Sequence, residues 1–329
     1  DGYDGLTAFD PDRRLAGRSI VEGQRAGDEE YSMIRVGDTL VVGWGEPYAI
    51  DIASRQATSL GAATFFVPAA EPNRVWMIDY GDRIGDHPPQ VWQVDVTSGP
   101  ALQDPVPLAG GYPLIGIPGG LALQTDTGLD LWTLETGEII ALEAEGGGFA
   151  HDIYEEALVW CAGDCTSLLV TNTSTGATQQ HDPPAGFDMF FWGASRFSPD
   201  GRHLAALLGQ EGTQEGRGIW LLDRDTGDTT VVSDPTTYVY ALAWAPDGAQ
   251  LFANSYSYRE SLTAVWRYDL TDQRFAAVVV PFGGALRSTV VVDASIADAY
   301  FDTNLVDPSE CRAPTMQPSR RSGICTFGF

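Results

Sequence analysis

Short runs in which apolar and polar residues alternate, each ending in an acid or an amide, recur along the whole chain. The clearest copies are WQVD at 92–95, WTLE at 132–135 and WLLD at 220–223. Each run is followed within four residues by Ser-Gly or Thr-Gly. Alternation over a few positions followed by a glycine turn is typical of a β-strand that leads into a tight turn.

The copies recur with a regular spacing. Looser copies end at positions 10, 51, 172 and 269, so that the seven acids or amides are separated by 37 to 51 residues. A period of about 40–50 residues with four short strands per unit is typical of a β-propeller. No stretch of helical length is amphipathic. The spacing therefore predicts an all-β fold, a seven-bladed β-propeller.

A second repeated phrase, a Pro-Asp-Gly turn, lies between the first two strands of each unit. The clear examples are FSPDGR at 197–202 and WAPDGA at 244–249. Pro fixes φ at the first turn position, and Gly accepts the positive φ that follows. This phrase resembles the repeat of the TolB-like propellers, within the WD40-like superfamily. The resemblance is strong over residues 195–270 and weak but regular elsewhere. It implies a repeat unit and brings no catalytic residues with it.

Each blade is predicted as strands A to D in chain order, with the Pro-Asp-Gly turn between A and B and the Thr-Gly turn between C and D. The N-terminal region supplies only a C–D pair, at 6–10 and 15–21. The missing A and B strands are predicted at 287–292 and 296–301, so that both chain ends close one blade and leave no open sheet edge. Six blades plus an extra hairpin is the alternative. Residues 1–302 are predicted as one propeller domain, and 303–329 as a disulfide-closed tail packed on it.

The charge balance excludes some functions. The net charge is −26, and all 19 basic residues are Arg. Mechanisms that need a lysine amine are therefore excluded, and a nucleic-acid partner is disfavoured because a polyanion would meet a strongly negative surface. No apolar run approaches the ~20 residues of a membrane span, so we predict no transmembrane segment. A protein or a glycan is the expected partner.

Four cysteines form two local pairs, Cys161 with Cys165 and Cys311 with Cys325. Neither pair has Cys-x-x-Cys spacing. An even number in loop-like positions favours two disulfides and an oxidising compartment, with free thiols or a metal site as alternatives. Because the sequence starts at Asp1 without a leader, we expect a secreted, periplasmic or cell-surface protein whose signal peptide has been removed.

Long and varied connections are predicted on one side of the propeller. The B-to-C and D-to-next-A connections share this side, which we call the loop face, and the short A-to-B and C-to-D turns share the turn face. Variable loops on a rigid scaffold commonly carry binding residues, and aromatic and Arg side chains are favoured there. We expect Tyr80, Tyr256 and Tyr258 to be exposed. The candidate ligand-binding residues are Asp79, Tyr80, Asp82, Arg83, Asp86, His87, Phe187, Asp188, Trp192, Glu211, Arg217, Tyr238, Tyr256, Tyr258 and Arg259.

No cofactor is predicted. Asp79, Asp82 and Asp86 lie within eight residues of one another, and oxygen-rich loops can hold calcium, but their spacing does not match the EF-hand loop. No spacing requires a site formed by the histidines. Seven copies of the acid before the turn argue for a structural role, in which it accepts backbone N–H bonds.

A non-enzymatic, extracytoplasmic binding propeller is the function that the sequence favours, with its loop face presented to a protein or glycan. The first alternative is a lyase or hydrolase, with or without a metal, that uses carboxylates, Arg83 and His87 at the axial mouth. No Gly-x-Ser-x-Gly nucleophile elbow is present. The second alternative is a structural subunit of a surface assembly.

Overall fold

In the part of the chain that the structure describes, six sheets of four or five antiparallel strands follow one another. The computed structural model describes residues 7–10, 15–19, 32–43, 46–54, 56–81, 88–99, 101–108, 110–163, 165–189, 195–210, 216–232, 238–257, 262–277 and 282–283. Within these ranges all regular structure is β-strand, and no helix is long and apolar enough to cross a membrane.

The first three sheets have four strands each, taken in chain order. Sheet one contains β3 (Ser32–Val36), β4 (Thr39–Gly43), β5 (Tyr48–Asp51) and β6 (Ala57–Ser59). Sheet two contains β7 (Phe65–Pro68), β8 (Arg74–Asp79), β9 (Gln90–Asp95) and β10 (Val106–Pro107). Sheet three contains β11 (Tyr112–Ile117), β12 (Gly120–Thr125), β13 (Gly128–Thr133) and β14 (Ile139–Glu143).

Sheets four to six follow the same order, with two interrupted strands. Sheet four contains β15 (Gly148–Tyr154), β16 (Ala157–Ala162), β17 (Leu168–Asn172) and β18 (Thr178–His181). Sheet five contains β19 (Phe187–Met189), β20 (Ser195–Phe197), β21 (His203–Gln210), β22 (Gly216–Asp223) and β23 (Thr229–Val232). Sheet six contains β24 (Tyr238–Trp244), β25 (Gln250–Ser257), β26 (Leu262–Asp269), β27 (Arg274–Ala277) and β28 (Phe282–Gly283). Both β19 and β20 pair with β21, and both β27 and β28 pair with β26.

The sheets stand side by side around a common axis. The first strands of successive sheets contact one another, from β3 through β7, β11 and β15 to β24, with β20 in this place in sheet five. A buried apolar cluster fills each of the five spaces between successive sheets. Between sheets two and three, for example, the Trp76 and Trp132 rings meet edge to face with centroids 6.2 Å apart. Strands A therefore line the axis, and the core lies between the blades, as in a β-propeller.

Blade number is the point at which the structure differs from the prediction. The described residues form six blades and a separate pair, β1 (Thr7–Asp10) with β2 (Leu15–Ser19), where seven complete blades were expected. This pair coincides with the two N-terminal strands predicted at 6–10 and 15–21, and Asp10 and Leu15 are register partners in it. The predicted completing strands at 287–292 and 296–301 lie outside the described residues.

The repeated acid holds the turn, as predicted. Asp95 Oδ1 accepts the Thr97 N–H at 2.8 Å, and Asp223 Oδ1 accepts the Asp225 N–H at 3.0 Å. The pKa of Asp95 is lowered, mainly by the Thr97 side-chain hydrogen bond. In five of the six described blades, the residue after this Asp or Asn donates its N–H to a carbonyl of the A–B turn. In sheet three the donor is Leu134, which precedes Glu135. The structural role is confirmed for the Asp and Asn copies of sheets one, two, four, five and six, whose side chains accept backbone N–H bonds.

Candidate functional site

Three stacked aromatic rings border the axis on the loop face. Phe65 opens β7 and Tyr112 opens β11, which are the innermost strands of sheets two and three, and Tyr80 follows β8. The Phe65 centroid lies 5.3 Å from that of Tyr112 and 5.8 Å from that of Tyr80. The two tyrosine centroids are 6.3 Å apart. We call these three residues the mouth stack.

The two tyrosines of the mouth stack differ in exposure. Tyr112 is 46% exposed, and Tyr80 is 9% exposed. The expectation that Tyr80 would be open to solvent is therefore wrong, because Phe65 and the apolar residues between sheets two and three cover its ring. Tyr112, which the sequence did not single out, presents the accessible ring. Its only sequence signal was its position directly after a Gly-Gly connection.

A small hydrogen-bond network fixes the position of Tyr80. Its N–H donates to Thr64 Oγ1 at 3.0 Å, and the Thr64 hydroxyl donates to Asp79 Oδ1 at 3.2 Å. The same carboxylate oxygen accepts the Gly81 N–H at 3.0 Å. Within the described ranges Asp79 therefore shapes the start of the B-to-C loop. Desolvation, and then the neighbouring Tyr112, raises the pKa of Tyr80 to about 12, so this phenol is neutral at pH 7.

The other candidate residues on the loop face are placed only in part. Phe187 and Asp188 belong to β19 and are partly buried, and Phe187 packs against the cluster between sheets four and five. Tyr238 and Tyr256 are register partners across β24 and β25, so the fold brings these two positions together at the loop-face end of sheet six. Arg217 lies in β22. Outside the described residues lie Asp82, Arg83, Asp86, His87, Trp192, Glu211, Tyr258 and Arg259.

One of the two predicted disulfides is confirmed. Cys161 and Cys165 are bonded, with their Cα atoms 4.9 Å apart, and they close the B-to-C connection of sheet four. Both side chains are buried. The Cys165 N–H donates to the Ala162 carbonyl at 2.7 Å, so a backbone turn also closes this loop. Cys311 and Cys325 lie outside the described residues, and their pairing stays a prediction.

Next to this disulfide lies a polar network that the sequence did not reveal. His151 Nδ1 is 3.0 Å from Ser195 Oγ, and its Nε2 is 3.6 Å from Cys161 Sγ. Arg196 donates to the carbonyls of both His151 and Ser195. Burial, and then the Arg196 charge, lowers the pKa of His151 to about 4, so the imidazole is neutral at pH 7. Ser195 is 1% exposed, which closes this network to a large substrate.

The carboxyl group of Asp152, the residue after His151, also links sheets four and five. Asp152 Oδ2 accepts the Phe197 N–H at 2.8 Å across the space between sheets four and five. Burial raises the pKa of Asp152, although the Arg196 charge opposes this effect. These contacts connect residues about 45 positions apart in the chain, so no local sequence pattern predicts them.

A cleft of about 390 Å³ lies between sheets four and five. Its size is within the range of small-molecule pockets, about 300–1,000 Å³. The Arg224 guanidinium covers the Phe197 ring at 4.9 Å and donates to the Gly201 carbonyl at 2.7 Å. Arg202 donates to Asp223 at 2.8 Å. Both arginines are thus engaged by the protein itself, and much of the lining belongs to the short turns rather than to the variable loops.

Comparison with other proteins supports the fold and does not extend to an activity. No protein-family model matches the chain. No curated protein matches it either. Solved structures that resemble it include an oligogalacturonate lyase from Vibrio parahaemolyticus, with a TM-score of 0.54, 12% identity and coverage of 83% of each chain. Hsv2p from Kluyveromyces lactis has a TM-score of 0.51 and 14% identity, covering 74% of this chain and 76% of that one.

A TolB protein is also among the similar structures. TolB from Acinetobacter baumannii has a TM-score of 0.46 and 12% identity, covering 74% of this chain and 61% of its own. At such low identities, structural likeness concerns the fold alone, since propellers host unrelated functions. The site must therefore be argued from the residues of this chain.

Proposed function

We propose that this β-propeller is a non-enzymatic, extracytoplasmic binding protein that presents its loop face to a protein or a glycan. The observation that carries the proposal is the mouth stack of Phe65, Tyr80 and Tyr112 beside the axis. One ring of the stack, Tyr112, is 46% exposed while the ring behind it is buried. An exposed ring held rigidly by others offers a stacking surface with little ordering cost on association.

The ligand class follows from charge and from the ring chemistry. With a net charge of −26, the protein repels polyanions and attracts basic groups, and it does not oppose the approach of neutral ones. A tyrosine ring gives an apolar face and a polar hydroxyl, which suits the apolar face of a sugar or an aromatic side chain of a peptide. Tyr256, near the end of β25, is proposed to complete the binding surface around the mouth together with the loop residues Asp82, Arg83, His87 and Tyr258.

The proposal also covers the cellular compartment of the protein and the closure of the propeller ring. The Cys161–Cys165 disulfide supports an oxidising compartment, because such bonds are rare in reducing ones.

We propose that β1 and β2 are the outer strands of a seventh blade that 287–292 and 296–301 complete. Such closure would leave no exposed sheet edge. It would also make the chain ends part of the rigid frame that holds the loops.

A substitution pair tests the binding surface. Tyr112→Ala removes the accessible ring, and Ile139→Ala removes a similarly exposed apolar side chain, 44% exposed, from the outermost strand of the same sheet. The probes are an array of neutral oligosaccharides and an array of basic and aromatic peptides. For the probe that binds wild type, we expect Tyr112→Ala to weaken affinity at least tenfold, about 1.4 kcal/mol, and Ile139→Ala to change it less than twofold.

The enzymatic and assembly alternatives predict different results from those of a binding protein. If Tyr112→Ala binds the selected probe as tightly as wild type, the proposed surface is wrong. A probe that is cleaved during incubation would reassign the protein to the enzymatic alternative, with Arg83 and His87 as the first residues to substitute. An assembly subunit would instead elute as an oligomer on size-exclusion chromatography under native salt.

A further inference from the structure

The three side chains of His151, Cys161 and Cys165 lie together between sheets four and five. One ligand atom from each, the imidazole nitrogen and the two sulfurs, is within 4.8 Å of the others. The two sulfurs are bonded to each other, so the sulfur ligands are not free in this state. Thiolates bind metals only after such a bond is reduced.

We propose that reduction of the Cys161–Cys165 disulfide creates a Zn²⁺ site formed by the two thiolates and the His151 imidazole. This site is separate from the mouth stack and does not depend on the binding function proposed above. The disulfide and the metal site are mutually exclusive states of the same loop, so the redox state of the two cysteines decides whether the protein can hold the ion.

The distance between the imidazole and the first sulfur already fits the metal. Tetrahedral zinc has Zn–S bonds of about 2.3 Å and Zn–N bonds of about 2.0–2.1 Å, which place the two ligand atoms about 3.6 Å apart. The observed separation of His151 Nε2 from Cys161 Sγ is 3.6 Å. The imidazole therefore needs little movement, and reduction needs only to let the two sulfurs separate.

The backbone of the loop supports the second sulfur independently of the disulfide. Cys165 has a φ of +55°, which turns the chain back toward Ala162. The Cys165 N–H bond to the Ala162 carbonyl closes that turn without using sulfur. We therefore expect both thiols to stay on the same side of the loop after reduction.

Ser195 orients the imidazole from the neighbouring blade. Its Oγ is 3.0 Å from His151 Nδ1, and it comes from β20, the innermost strand of sheet five. When Nδ1–H donates to this oxygen, Nε2 carries the lone pair that faces Cys161. A second hydrogen-bond partner of this kind is the common way in which proteins fix a metal-binding histidine. Three protein ligands with a fourth position for water are typical of open Cys₂His zinc sites.

Reduction of the disulfide and binding of the ion are two separate steps. A dithiol reductant gives two electrons and two protons to the Cys161–Cys165 bond, which yields two thiols, while the reductant becomes a disulfide. Zn²⁺ then binds both sulfurs and releases the two thiol protons to water. Reoxidation needs a disulfide oxidant, which accepts the two electrons from the sulfurs and two protons from water and becomes a dithiol, while the Cys161–Cys165 bond is restored and the ion is released.

The experiment uses the full chain with Cys311→Ser and Cys325→Ser, so that only one cysteine pair remains. In vitro, a phosphine replaces the dithiol, because dithiols chelate zinc, and it takes up one oxygen from water as it reduces the bond. Bound zinc is measured after gel filtration with and without phosphine, and Cd²⁺ serves as a second probe through its ultraviolet thiolate absorption. We expect about one equivalent of zinc after reduction and less than about a tenth of one before it.

Three variants test the assignment of the ligands. His151→Gln leaves the disulfide intact and should lower zinc affinity at least tenfold in the reduced protein. Ser195→Ala should lower it about 10–100-fold, as loss of an orienting partner does elsewhere. His203→Gln, another partly buried histidine one blade away, is the matched control and should bind like the parent.

Several outcomes would overturn the proposal. One is a reduced parent protein that keeps its β-sheet circular dichroism and binds no zinc. Another is zinc binding that His151→Gln leaves unchanged. If reduction unfolds the protein, as judged by circular dichroism, the proposal also fails, because the site needs sheets four and five in place.

Discussion

Replacement of Asp95 by Ala removes the acceptor that holds the C–D turn of sheet two. The carboxylate accepts the Thr97 N–H at 2.8 Å and also the Thr97 hydroxyl. Thr97 is exposed, so water can satisfy its N–H after the substitution, and the cost is that of a lost capping acceptor, about 1 kcal/mol. We expect the free energy of unfolding, measured by urea denaturation with tryptophan fluorescence, to fall by about that amount with an unchanged m-value.

Two further substitutions separate the hydrogen bonds from the charge. Asp95→Asn keeps an oxygen acceptor and should retain most of the stability, since sheet four naturally uses Asn172, whose Oδ1 accepts the Thr175 N–H at 2.9 Å. Asp104→Ala removes one exposed negative charge from the same C–D connection and is the matched control. If Asp95→Ala and Asp104→Ala unfold at the same urea concentration, the turn does not depend on the acid, and the argument fails.

The pH dependence gives an independent check of the same contact. Hydrogen bonds, first that from the Thr97 side chain, lower the pKa of Asp95 in the folded protein. A lowered folded pKa contributes stability above the unfolded pKa of about 4, and this contribution is lost as the pH falls through the folded value. The difference between wild type and Asp95→Ala should therefore be constant from about pH 7 to pH 5 and shrink toward pH 3. A difference that persists undiminished at pH 3 would contradict the assigned cause.

Three other predictions concern a buried hydroxyl group, glycines with positive φ, and the role of the N-terminal strands in closing the propeller. Tyr80→Phe removes a buried hydroxyl that has no hydrogen-bond partner among the described residues, so thermal unfolding should show equal or higher stability. Gly201→Ala places a Cβ against the Tyr154 ring at a φ of +69° and should lower the free energy of unfolding by about 1–3 kcal/mol. Gly227→Ala, at a φ of +77° in open space, should cost less, about 1 kcal/mol. Deletion of residues 1–20 should lower the melting temperature of the whole protein if β1 and β2 help to close it, whereas an unchanged melting curve would exclude that closure.

Much of the architecture could be predicted because it repeats. The C strands and the turns after them were placed by the acid and the Thr-Gly phrase, and both features act within a few residues of one another. The A strand of sheet six, Tyr238–Trp244, ends where the WAPDGA phrase at 244–249 begins, as the position of that phrase between strands A and B predicted. Interrupted strands were harder to predict, since both β27 and β28 pair with β26 in that sheet and no residue pattern marks this division.

For the candidate site, the sequence predicted only that the binding residues lie on the loop face, and not which side chains contact one another there. Sequence reasoning placed Asp79 and Tyr80 at the start of a loop-face connection, where the structure has them. It did not predict that Asp79 would serve the backbone of that loop, nor that Tyr112 would present the open ring. Whether a ring is covered depends on the neighbouring blade, and its residues lie tens of positions away in the chain.

The sequence by itself determined the strand order, the turns and the repeat, because hydrogen bonds such as that from Thr97 to Asp95 join residues two or three positions apart. Only the tertiary structure decided which side chains meet between blades. His151 reaches Ser195 across 44 positions, and Tyr112 of sheet three stacks on Phe65 of sheet two. These contacts exist because neighbouring sheets pack face to face around one axis, and packing of this kind is set by shape and burial rather than by any local pattern.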